Sequence, residues 1–153
     1  MTRGQASPIA IALGLAVATS HAAGLAGKYA TEWDGMNVTK TRSFVNEAFL
    51  VIDAATPAHA WLMVTHNNDV LGEEKALFTI RRHGDVLEFV YDGCTKLATP
   101  RDKETPCVDA GPKGDVHYRF RVAPEGLVLI ESAKGGLLGV PSTLEKVAKF
   151  SFE

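Results

Sequence analysis

The chain has 153 residues, of which 46% are hydrophobic and 22% charged, with a formal net charge of −2. That length suits one domain. The basic residues are scattered among acidic neighbours, which leaves no electrostatic footprint for nucleic acid or an anionic membrane surface.

The first stretch reads as a targeting segment. Met1-Thr2-Arg3 supplies a basic start, Pro8 to Thr19 is apolar, and Ser20-His21-Ala22 puts small residues at the −3 and −1 positions of a cleavage site. This pattern predicts a signal peptide over residues 1–22 and an exported domain over 23–153. A membrane anchor competes, but the apolar run falls short of the ~20 residues that a spanning helix takes. No Cys follows the run to accept a lipid, and no later span is present, so no integral membrane segment is expected after cleavage. Removing 22 of 153 residues, Arg3 among them, leaves 131 residues with a net charge of −3. The expected location is periplasmic or secreted.

Gly24 to Trp33 reads as the first strand, with Leu25, Tyr29 and Trp33 on one face. Asp34-Gly35 is a turn signal. Asn37-Val38-Thr39 matches the glycosylation sequon and is read as a solvent-facing strand end. Ser43 to Ile52 is a second strand with a change of phase near Asn46-Glu47. Its Phe49-Leu50-Val51-Ile52 end is apolar on both faces, as in a buried strand end or a bulge. Ala58 to Thr65 is a third strand, with Trp61 and Met63 on one face and Ala60, Leu62 and Val64 on the other. Such a strand is either central or covered by another element. His66 to Asp69 forms a turn, and Gly72-Glu73-Glu74-Lys75 a polar link.

Ala76 to Arg82, the turn His83-Gly84-Asp85 and Val86 to Asp92 predict a hairpin. Alternation puts Phe78, Ile80, Leu87, Phe89 and Tyr91 on one buried side and Arg81, Glu88 and Asp92 in water. Val116, Tyr118, Phe120 and Val122 alternate with His117, Arg119 and Arg121, so the latter three are expected to face outward and pair with Glu88, Asp92 or Glu131. Ala123-Pro124-Glu125-Gly126 is a turn, because Pro presets φ and Gly accepts positive φ. Leu127 to Ile130 follows. Ser132 to Val140, with Gly135, Gly136 and Gly139, reads as a flexible loop. Ser142-Thr143-Leu144-Glu145 resembles a capping box and predicts one short helical turn. A strand competes there, and Phe150 to Phe152 is expected to close the sheet.

The sum is an all-β chain: a single antiparallel meander of about eight strands, with sequential neighbours paired. Closure into a barrel removes the edges; a β-sandwich is the runner-up. Gly27-Lys28-Tyr29 on the first strand, followed by strands running up and down, resembles the lipocalin-like (calycin) barrels, which open with a Gly and an aromatic two positions later. Tyr29 stands where Trp is commoner, and Trp33 comes four later. The resemblance implies the barrel and says little about ligands.

The chain's two cysteines, Cys94 and Cys107, are 13 positions apart, which in an exported chain implies a disulfide. The segment they bound is polar and has little to bury. Arg101, Asp102, Lys103 and Glu104 within it form the candidate partner-binding loop, and the Gly72-Glu73-Glu74 link is a second candidate contact element. A redox pair lacks the C-x-x-C spacing. Two thiols and unclustered histidines (His59, His66, His83 and His117) do not make a metal site.

No G-x-S-x-G elbow, H-E-x-x-H pair or phosphate loop is found. Gly135 to Gly139 lacks a βαβ setting. Asp92, Asp102, Glu104, Asp109 and Asp115 sit in polar surroundings rather than the apolar pocket that raises a catalytic carboxyl's pKa. No catalytic residue, metal or cofactor is therefore expected. Tyr29, Trp33, Phe78, Phe89, Tyr91, Tyr118 and Phe120 either fill the barrel or line a cavity. The expected function is a non-enzymatic binding protein, an inhibitor or immunity-type factor that contacts an envelope protein. The alternative is a carrier of a small apolar or lipid-like ligand.

Overall fold

The alternating apolar runs become strands wherever one face can be buried. The computed structural model describes residues 24–36, 43–66, 73–96, 103–108, 111–133 and 143–153. Among them run β1 (Gly27–Met36), β2 (Ser43–Ile52), β3 (His59–His66), β4 (Glu74–His83), β5 (Val86–Lys96), β6 (Thr105–Pro106), β7 (Val116–Ala123), β8 (Gly126–Ser132) and β9 (Thr143–Val147). The predicted signal peptide, the sequon and the Gly135–Gly139 stretch lie outside the described residues.

All pairings are antiparallel. Neighbours pair in the order β4-β3-β2-β1-β9-β8-β7-β5, and β4 pairs with β5, so eight strands close into a barrel. This closure decides against the sandwich. β6 stands outside the ring, adding to the far end of β5 at Thr95 and Lys96.

Register assigns the faces. Tyr29, Leu50, Leu62, Phe78, Phe89, Phe120, Leu127 and Leu144 all belong to the interior cluster. The outer row of β4, β5, β7 and β8 is charged, as the period-two pattern predicts. Arg119 donates to Glu88 at 3.2 Å and to Glu131 at 2.6 Å, and Arg81 and His83 lie 3.3 and 3.4 Å from Glu88. Burial works against the Glu88 carboxylate, but the Arg119 hydrogen bond and the charges of Arg81 and His83 outweigh it and hold the pKa below the ordinary value.

His117 departs from that row. The β5–β7 register shifts between Phe89↔Tyr118 and Val90↔Val116, which leaves His117 as the unpaired residue of a bulge. A bulge breaks strict alternation. His117 therefore packs, half-buried, against Tyr91 and Phe78 instead of standing free in the outer row.

The end of the chain also differs from expectation. Thr143–Val147 is a strand and no helical turn forms, because Leu144 is fully buried opposite Leu127 and the strand closes the ring between β8 and β1. Phe150 to Phe152 is not a strand. The segment 148–153 lies over the outer face of β1, β2 and β3, where Phe150 packs with Phe49 and Met63 in a second cluster. It supplies the cover that the two-faced apolar pattern of β2 and β3 demands.

The two ends of the barrel are unlike. One has two-residue turns, Gly84-Asp85 and Pro124-Glu125, and the 53–58 connection, where Asp53 accepts hydrogen bonds from the Ala55 and His59 backbone N–H groups at 3.0 and 2.8 Å. The other end, the rim, gathers the strand ends Met36, Ser43, His66, Glu74, Lys96, Val116 and Ser132. Longer stretches of sequence separate these ends.

Candidate functional site

The rim is built on β5. After Tyr91 the β4–β5 register shifts, so that Leu77 faces Gly93 and Ala76 faces Cys94. Gly93 takes φ +113°, a conformation that favours glycine. β5 then leaves β7 and receives β6. Cys94 and Cys107 form a disulfide across this junction with Cα atoms 5.5 Å apart, and the Cys107 N–H donates to the Cys94 carbonyl at 3.0 Å. The bond fits an oxidising compartment.

The staple is one of several ties on this segment. Glu104 pairs with Lys75 on β4 and accepts from the Thr95 hydroxyl at 3.0 Å. The Lys75 hydrogen bond, with smaller help from Thr95, holds the Glu104 carboxyl below its usual pKa against the opposing effect of burial. On the other flank Tyr91 donates its N–H to the Asp115 carbonyl at 2.8 Å and accepts from Gly114 at 2.9 Å. His117 stacks on Tyr91 with ring centroids 4.4 Å apart. Burial lowers the His117 pKa, and the charge of Asp115 opposes that shift.

Arg101 and Asp102 of the candidate loop lie outside the described residues. Lys103 is exposed, whereas Glu104 is engaged by Lys75 and Thr95 and serves the loop's own anchorage. Val108, next to Cys107, is 88% exposed and went unnoticed in the sequence. Its signal was an apolar residue directly after a half-cystine in a polar stretch. Glu74 of the predicted polar link also reaches the rim, where a carboxylate oxygen comes within 4.8 Å of both cysteine sulfurs. Those sulfurs are bonded to each other, so they offer no thiolate to a metal.

Comparison with family models, curated proteins and solved structures finds no match. The chemistry must be read from the residues themselves.

The seven candidate cavity residues all belong to the interior cluster, Trp33 as a partly buried member near the rim. Phe78 lies 5.6 Å from Phe89, 5.8 Å from Tyr118 and 6.0 Å from Tyr91, and Phe89 lies 5.0 Å from Phe120, centroid to centroid. Rings at such separations touch one another in edge-on or tilted contacts.

Proposed function

We propose that the chain is an exported, non-enzymatic binding protein of the bacterial envelope. It engages another protein through the rim, as an inhibitor or immunity-type factor does. The observation that carries this reading is Val108, an almost fully exposed apolar residue beside a disulfide-held backbone. A rigidly held loop on a β scaffold loses little freedom on binding, and an exposed apolar side chain at such a place gains from being covered by a partner. The ring contacts between Phe78, Phe89, Tyr118 and Phe120 weigh against the alternative, a carrier with an internal cavity.

Affinity capture from envelope extract with residues 23–153 tests the proposal. One stoichiometric partner, retained by the parent protein and lost with a folded Val108→Glu variant, is the expected result. Retention of the same proteins by the variant would remove the rim from the reading. Stoichiometric uptake of an apolar fluorophore, displaced by lipid extract, would favour the carrier.

A further inference from the structure

The rim holds a set of metal-ligating side chains that its disulfide keeps closed. Among the described residues, Glu74, Cys94 and Cys107 are the one trio of His, Cys, Asp or Glu whose ligand atoms all lie within 4.8 Å of one another. Glu74 opens β4, Cys94 lies on β5 and Cys107 follows β6. Ala76 faces Cys94 across the β4–β5 pair, so Glu74, two residues earlier on β4, shares the face of Cys94. That face is the interior one, since Ala76 and Cys94 both pack against the inner cluster.

The sulfur–sulfur bond is not the only thing that gathers them. The Cys107 N–H donates to the Cys94 carbonyl, and Thr95 and Lys96 pair with Pro106 and Thr105. Glu104 is held by Lys75 and Thr95. None of these ties involves the sulfurs, so they continue to hold the two cysteine backbones, now 5.5 Å apart at Cα, when the sulfurs part. Zn–S bonds of about 2.3 Å in a tetrahedral arrangement set two sulfurs roughly 3.8 Å apart. Rotation of the two cysteine side chains supplies that spacing without moving a strand.

Two thiolates beside a carboxylate repel one another. A divalent cation removes the repulsion and takes the sulfurs as soft donors. We propose that the reduced rim binds one thiophilic divalent cation of the zinc type, with the Cys94 and Cys107 thiolates and the Glu74 carboxylate as ligands. Three protein ligands leave a fourth position open to water or another donor. The reductant is a dithiol: it gives two electrons and two protons, becomes a disulfide itself and leaves Cys94 and Cys107 as thiols. The cation then releases both thiol protons to solvent. The disulfide form has no thiolate to offer, so oxidation closes the site. The site stands on the geometry of the staple and does not depend on a partner protein docking at the rim.

The test uses the mature chain in its disulfide form and after reduction by a phosphine, which becomes the phosphine oxide and adds no competing thiol. Zn²⁺ is the probe in calorimetry and Co²⁺ in absorption. The reduced protein should bind one equivalent of either ion, and Co²⁺ should show thiolate charge-transfer bands. The disulfide form should show neither. Glu74→Gln should keep the bands but weaken binding at least about tenfold, a cost that even outer-shell changes carry. Cys94→Ser combined with Cys107→Ser should abolish the bands. Zn²⁺ should also reverse the rise in hydrogen exchange that reduction brings to residues 103–108. No binding by the reduced protein, equal binding by the disulfide form, or binding that survives loss of both cysteines overturns the site. Unaltered affinity in Glu74→Gln overturns the carboxylate ligand. A reduced chain that loses its fold and does not regain it with Zn²⁺ also overturns the proposal.

Discussion

The imidazole of His117 lies flat against the ring of Tyr91, with planes only 6° from parallel. Phe78 stands edge-on to both rings, and the Tyr91 backbone holds Gly114 and Asp115. The stack therefore joins the barrel interior to the stapled rim, and its geometry follows from a single inserted residue in β7.

Burial makes protonation of His117 unfavourable in the folded state. Asp115, on the same chain segment, and Glu74, which acts on Tyr91, are the carboxylates that face the pair. Because the folded pKa lies below the unfolded value of about 6.5, the contribution to stability is fully present above that pH. It is lost as pH falls through the lowered folded pKa. An NMR titration should place His117 below 6.5, and His117→Phe should flatten the pH dependence of the melting temperature in that window. A His117 titrating at or above the ordinary value would contradict its burial.

Gly126 adopts φ +145°, and a Cβ there would run into the Leu144 carbonyl on β9. Strain of this kind amounts to roughly 1–3 kcal/mol. Gly126→Ala should lower thermal stability by that amount. Gly84, at φ +64° with open space around it, provides the comparison: Gly84→Ala should lose only about 1 kcal/mol. Equal losses in the two variants would show that the β8–β9 approach is looser than described.

Phe89 is fully buried between Phe78 and Phe120. Phe89→Ala should destabilise the barrel by about 3–5 kcal/mol, as large-to-small core changes do, measured by urea unfolding. A near-neutral variant would mean that the rings line empty space and do not support one another.

Much of this architecture was legible in the residues. The alternation of Phe78 and Ile80, and of Leu87, Phe89 and Tyr91, gave the hairpin faces, and the turn residues gave its joints. The two-faced apolar pattern of β3 is that of a central or covered strand, although the spacing of Phe150 and Phe152 points to a strand and not to the cover they form. Their spacing matches a strand, but they meet Phe49 from outside the sheet. Ser142 to Glu145 carries a local helix signal that tertiary packing overrides, since the ring needs Leu144 beside Leu127. His117 was misplaced because a bulge shifts the phase without marking the sequence. Of the candidate site, the cysteine pair was legible; the role of Glu104 was not, because its partner Lys75 is 29 positions away.

The disulfide should act on the rim before it acts on the barrel. A loop of this length contributes about 3 kcal/mol in the chain-entropy model, yet the eight ring strands pair without it. Reduction should raise hydrogen exchange in residues 103–108 and 111–115 while Leu50, Leu62 and Phe89 stay protected. Acidification should have a related, weaker effect. The Lys75–Glu104 pair keeps its full contribution above the ordinary glutamate pKa of about 4.3 and loses it as pH falls through the lowered folded value. Exchange that rises throughout the sheet on reduction would mean that the staple holds the barrel itself.

The central claim is that the rim is the contact surface. Its most direct test is hydrogen exchange of the mature protein with and without the partner recovered by capture. New protection confined to residues 103–108 and 111–115 and the start of β4 is the expected result. Protection at the opposite end, in residues 53–58, 84–85 and 124–125, with the rim unchanged, would contradict it.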